Sequence, residues 1–172
     1  GHSEYEKNYK EGEEHGLWKE WHKNGQLASE RNYKDGKLEG ESLWYHKNGQ
    51  LESKGKMEGK LGVGVGKSWF KNRQLRLDVN LKDGKKNGYF KEWYENGQLK
   101  KEVTSKIVKG DMRFPKPYGL TKRWYENGKL KSEVNYKDGK KNGSFKEWDE
   151  NGQFIKDENY LNGKYHGLYR KY

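Results

Sequence analysis

The sequence predicts an all-β protein, an elongated antiparallel meander of about seven tandem β-hairpin repeats with no helix expected. Three observations predict it. An Asn-Gly pair returns on a fixed beat, large apolar residues flank each pair at fixed distances, and a second glycine turn recurs between the pairs.

The pairs are Asn24-Gly25, Asn48-Gly49, Asn96-Gly97, Asn127-Gly128 and Asn151-Gly152, with Asn72-Arg73 in the missing place. Their spacing is 24 residues, except for 31 between Asn96 and Asn127. Three residues before each Asn stands Trp21, Tyr45, Trp69, Trp93, Trp124 or Trp148, a ladder of rings expected to form the seam between repeats. Three residues after it stands Leu27, Leu51, Leu75, Leu99, Leu130 or Phe154. Asn-Gly supplies the positive φ angles of tight hairpin turns. A two-residue loop and a three-residue loop with a bulge both remain open. The recurrence of the ring and the leucine favours the second, which pairs Trp93 with Leu99.

The second turn carries Gly12, Gly36, Gly59, Gly84, Gly110, Gly139 and Gly163, often after Asp. It sends the chain back into the next hairpin. Another glycine follows four residues later at Gly16, Gly40, Gly88, Gly143 and Gly167, and at wider spacing at Gly64 and Gly119. The organisation is a single repeat array over 1–172. Residues 1–8 read as a tag remnant and a partial first unit, and an insertion in the fifth repeat falls within 105–118.

Composition agrees with a thin fold. Only 29% of residues are hydrophobic and 37% are charged, but aromatics reach 15% and prolines number two, which separates the chain from disordered sequences. The formal net charge of +11 points to acidic protein, anionic lipid or nucleic acid as a partner, though acidic residues are mixed in throughout. There is no cysteine, so disulfides and Cys-based metal sites are excluded. No apolar run approaches the roughly 18 residues of a membrane span, so a soluble protein is expected, its compartment unknown. A native signal peptide trimmed ahead of Gly1 is compatible with this reading.

The unit running from Tyr136 through Gly139, Gly143 and Trp148 to Asn151-Gly152 resembles the MORN repeat in its bacterial variant, the YwqK-type antitoxin-like repeat proteins. The resemblance covers about Tyr9 to Tyr172. It implies an antiparallel sheet of hairpins and a binding or scaffold role, including an antitoxin that pairs with a toxin. The third unit departs from the pattern over Met57 to Arg73, and the fifth carries the insertion.

Chemistry-bearing motifs are few. Gly62, Gly64 and Gly66 before Lys67-Ser68 suggest a phosphate loop, but Leu61 occupies the place of its first glycine, so a tight bend or close backbone approach is expected instead. His22 and His46 share a repeat position and fall roughly 10 Å apart, too far for one metal ion. No nucleophile–base constellation appears, so no catalytic residue, cofactor or metal site is assigned. The insertion combines Lys106, Lys109, Arg113, Phe114 and Lys116 with both prolines, and is the candidate partner-binding segment. The expected function is a non-enzymatic protein–protein interaction scaffold with an acidic protein partner. The alternative is peripheral binding to anionic phospholipid. Self-association through terminal hairpins is a third reading, and nucleic acid is the weakest.

Overall fold

The computed structural model describes residues 4–58, 61–82, 85–108 and 111–172, leaving aside the side chains of 58, 61, 62, 85, 106–108 and 111–115. Among the described residues there is no helix, as the repeat pattern predicts. The chain divides into two compact units, Gly1–Gly84 and Lys85–Tyr172, each taken by itself below.

The first unit holds β1 (Tyr5–Glu6), β2 (Tyr9–Lys10), β3 (Glu13–Glu14), β4 (Gly16–Trp21), β5 (Leu27–Lys34), β6 (Lys37–Tyr45), β7 (Leu51–Glu58), β8 (Leu61–Trp69) and β9 (Leu75–Lys82). Its strands run β1-β4-β5-β6-β7-β8-β9, each antiparallel to the next, and β2 pairs β3 in a small ribbon. The second unit holds β10 (Lys85–Trp93), β11 (Leu99–Val108), β12 (Asp111–Pro117), β13 (Gly119–Trp124), β14 (Leu130–Lys137), β15 (Lys140–Trp148), β16 (Phe154–Leu161) and β17 (Lys164–Lys171). Its order is β10-β11-β13-β14-β15-β16-β17, with β12 added against β11. The insertion is therefore a hairpin extension and not a loop, with Ser105 opposite Pro117 and Lys106 opposite Lys116.

The register settles the choice between the two loops. Trp93 pairs with Leu99 across a bulge, and so do Trp21 with Leu27, Tyr45 with Leu51, Trp69 with Leu75, Trp124 with Leu130 and Trp148 with Phe154. The Asn of each pair does not take a positive φ; only the following glycine does. Asn96 instead accepts a hydrogen bond from the Gln98 amide at 2.9 Å and donates one to the Glu126 carbonyl of the next repeat at 2.8 Å. Asn24 and Asn127 make the same two bonds. A short polar side chain thus shapes its own turn and staples it to its neighbour. The residue after the ladder ring adds a second staple. His22 bonds the Tyr45 carbonyl at 2.8 Å, and Tyr125 donates to the Trp148 carbonyl at 2.9 Å.

The other turns are tighter. Asp35-Gly36, Asp138-Gly139 and Asn162-Gly163 have positive φ at both residues, the type I′ pattern of a two-residue hairpin loop. Asn-Gly at 24–25 and at 162–163 therefore adopts two conformations, and loop length decides which. The departure at Asn72-Arg73 has a measurable consequence. Arg73 takes φ +70°, a conformation that costs an L residue about 1–2 kcal/mol. The Gln50 amide, oriented with its oxygen toward the Arg73 Nε at 3.1 Å, offsets a part. Arg73→Gly is expected to stabilise the first unit by about 0.5–1 kcal/mol, read as a higher urea midpoint at an unchanged m-value. An unchanged or lower midpoint would show that the arginine contact outweighs the backbone strain.

In each unit the two faces of the sheet differ. One carries the buried side chains, Trp18, Ser29, Ser42, Ser68 and Val79 in the first unit and Phe90, Val103, Thr121, Val134 and Glu158 in the second. Lysine stems cover its rings. The Lys7 ammonium lies 4.5 Å from the Trp18 ring centre, Lys86 3.6 Å from Phe90 and Lys141 4.0 Å from Phe145. A sheet so rich in charge buries its core by laying amphipathic side chains across it. The opposite face carries cross-strand ion pairs. Lys19–Glu30 and Lys67–Asp78 stand at 3.8 and 3.1 Å in the first unit, and Lys91–Glu102 and Lys122–Glu133 at 3.0 and 3.6 Å in the second. Those charges satisfy one another.

Candidate functional site

On the core face of the second unit, β10, β11, β13 and β14 enclose a groove of about 350 Å³. Its apolar lining is Phe90, Val103 and Tyr136 with the rim residue Pro117, and Lys86, Lys101, Arg123 and Glu92 supply its charges. Register places each side chain. Glu92 stands opposite Lys101, and Lys101 opposite Arg123, in one row across three strands. Phe90 opposite Val103 forms the neighbouring row, continued by Thr121 opposite Val134. Strand alternation puts both rows on the same face.

The charges do not balance. Glu92 is engaged by Lys100, whose ammonium donates to Oε1 at 3.0 Å. Among the described residues, no carboxylate reaches ion-pair distance of Lys86, Lys101 or Arg123. Burial pushes the Lys101 ammonium below the usual lysine range, and the facing Arg123 pushes it further in the same direction. Burial also lowers Lys86, against a smaller opposing pull from Glu92. Thr121 is only 3% exposed, and its hydroxyl has no hydrogen-bond partner.

The same row is neutralised further along. Lys156 lies 3.3 Å from Glu147 and 3.5 Å from Glu158, and Tyr160 donates to Glu158 at 2.8 Å. Burial raises the Tyr160 hydroxyl above the usual tyrosine range, and its hydrogen bonds with Tyr165 and Glu158 raise it further. In the first unit Arg31 pairs with Glu20 at 2.5 Å. The groove cations, by contrast, have no carboxylate at ion-pair distance among the described residues. Among the described residues no group of three His, Asp or Glu side chains stands close enough to hold a metal ion.

Of the insertion residues singled out from sequence, Lys109 lies outside the described residues, as do the side chains of Lys106, Arg113 and Phe114. The Lys116 stem runs beside Gly139, where an added Cβ would meet it at 3.1 Å. The insertion borders the groove through Ser105 and Pro117. The ladder residues Trp21, Tyr45, Trp69, Trp93, Trp124 and Trp148 are half-buried, each facing its partner across the bulge. Gly64 takes φ +69° in a bulge, and an added Cβ at the buried Gly66 would meet Leu81 at 3.4 Å, so these two glycines serve bending and close packing.

Sequence reasoning missed the groove residues, although a signal exists. The position before each ladder ring reads Glu20, Trp44, Ser68, Glu92, Arg123 and Glu147. Arg123 is the basic member of that series, and it faces Lys101.

The family model described as MORN repeat variant matches residues 14–35, 38–58, 86–106, 117–138 and 141–164. No curated protein matches the chain. The groove residues fall within the third and fourth matched segments.

Proposed function

This chain belongs to the MORN repeat variant family, whose repeats mediate binding to proteins or membranes, and from that premise we propose that it is a protein-binding scaffold with an acidic protein partner. Repeats of this family are in general binding modules and not catalysts. One observation carries the choice of face. On the paired face Lys91 and Lys122 close on Glu102 and Glu133, whereas the core face of the second unit leaves Lys86, Lys101 and Arg123 without a carboxylate at ion-pair distance among the described residues. An unneutralised surface steers and selects an oppositely charged partner. The finer form of the proposal is antitoxin-like, the chain capturing a toxin, and it rests on the bacterial resemblance alone.

The net charge of +11 supports a second reading, peripheral association with anionic phospholipid. No helix among the described residues is long and apolar enough to cross a membrane. The two readings separate on salt and lipid. The immobilised chain is exposed to source lysate at low and high salt, and in parallel to phosphatidylserine and phosphatidylcholine vesicles. The protein-binding reading expects one stoichiometric protein retained at high salt. Vesicle binding that salt abolishes, with no protein retained, would replace it with the membrane reading.

A further inference from the structure

We propose that the groove between β10, β11, β13 and β14 is a carboxylate-recognition site, which takes an Asp or Glu side chain of an extended protein segment between Lys101 and Arg123; this rests on the protein-binding reading and gives it an address.

The first ground is register. Lys101 and Arg123 are directly opposed on neighbouring strands. Like charges in that relation destabilise a sheet. The Lys34–Lys37 and Lys137–Lys140 pairs stand solvent-exposed beside two-residue turns, and two further opposed pairs have relief. Lys54 faces Lys67, but Lys67 is paired with Asp78, and Lys156 faces Lys171, but Lys156 holds two glutamates. Lys101 and Arg123 have no carboxylate at ion-pair distance among the described residues, since Lys100 takes the adjacent Glu92, whose pull on Lys101 is weaker than the push from Arg123. An anion held between them converts a repulsion into two attractions.

The second ground is the buried, unpartnered Thr121 hydroxyl in the groove wall. A buried polar group without a partner costs about 1–3 kcal/mol. It becomes a donor once a carboxylate oxygen is near. Arg123 brings a planar fork that matches a carboxylate with two parallel hydrogen bonds.

The third ground is shape. Lys86 is drawn down over Phe90, 3.6 Å from the ring centre, so its charge faces into the groove. An extended chain can lower one side chain into such a cleft, and the apolar residues Phe90, Val103 and Tyr136 receive its methylenes and its neighbours. Lys101 is the half-buried member of the three, while Lys86 and Arg123 stay open to an incoming side chain.

The test is calorimetric titration with a ten-residue peptide of alternating Glu and Leu and with its Gln counterpart. The chains compared are wild type, K101M/R123M, T121V and K122M, whose lysine lies on the opposite face. The Glu peptide is expected to bind at least about tenfold more tightly than the Gln peptide. K101M/R123M is expected to lose at least about tenfold, T121V about threefold, and K122M less than about twofold. Thermal melts guard against misfolding. Removing opposed charges or an unsatisfied hydroxyl should hold or raise the melting temperature, so lost binding with a retained melt indicts the site alone. Equal losses in K122M and K101M/R123M, or no preference for Glu over Gln, would overturn the proposal. If either occurs while a lysate protein is still retained at high salt, the carboxylate site fails and the protein-binding reading stands.

Discussion

Replacing Lys156 with methionine is expected to destabilise the second unit by about 2–3 kcal/mol. The ammonium is the only cation within ion-pair distance of Glu158 among the described residues, and it bridges that carboxylate to Glu147 at 3.5 and 3.3 Å. Glu158 is 2% exposed, so water cannot replace what is lost. Tyr160 still donates one hydrogen bond at 2.8 Å, which leaves the second oxygen without its partner. Stranding a fully buried charge costs about 3–5 kcal/mol. The lower figure follows because the Lys156 side chain is 28% exposed and its pairs are partly screened. The check is hydrogen exchange of β16 amides together with a denaturant melt. K156M/E158Q removes the stranded charge and should recover at least half of the loss. A cost for K156M below about 0.5 kcal/mol would mean that Glu158 is satisfied by something other than this pair.

Phe90→Ala carries a similar or larger penalty, about 3–4 kcal/mol. Phe90 is 7% exposed and forms the groove floor, with Lys86 and Lys101 at 3.6 and 5.6 Å from its ring centre. The truncation removes the ring from the packed row with Val103 and takes away the surface on which both lysine stems lie. Phe90→Leu separates the two effects. It keeps most of the volume, so its cost should stay near 1–1.5 kcal/mol, roughly the sum of a small packing loss and the cation–π term. Equal penalties for alanine and leucine would assign the ring's contribution to its π face and not to burial. Both are read from urea melts of the full chain.

The architecture was legible because each repeat restates it. Period, ring and leucine fix the strands, and the recurrence of residues such as Trp93 and Leu99 at facing positions fixes the bulge. Turn conformation was less legible, since the same Asn-Gly pair forms a type I′ turn at Asn162 and an Asx-stapled turn at Asn24. Dipeptide identity cannot report the loop length that chooses between them. The core was masked by the conspicuous ladder. Its row reads Trp18, Ser42, Gly66, Phe90 and Thr121, all buried, and the half-buried Phe145, a position too variable to register as a motif. The site was masked for a related reason. Lys86, Lys101 and Arg123 are ordinary in sequence, in a chain with 37 basic residues, and become a cluster only when the register sets Lys101 against Arg123. A repeat array keeps its scaffold in the repeated pattern and writes its specificity in the departures from it.

The carboxylate site is tested most directly by amine acylation footprinting with the alternating Glu–Leu peptide present and absent. With their ammonium groups held below the ordinary range, Lys86 and Lys101 carry more free amine at mildly alkaline pH than paired lysines do. A peptide seated in the groove is predicted to protect Lys86 and Lys101 while Lys91 and Lys122 on the opposite face keep their rates. Protection of Lys91 and Lys122 with Lys86 and Lys101 unchanged would place binding on the wrong face and contradict the assignment.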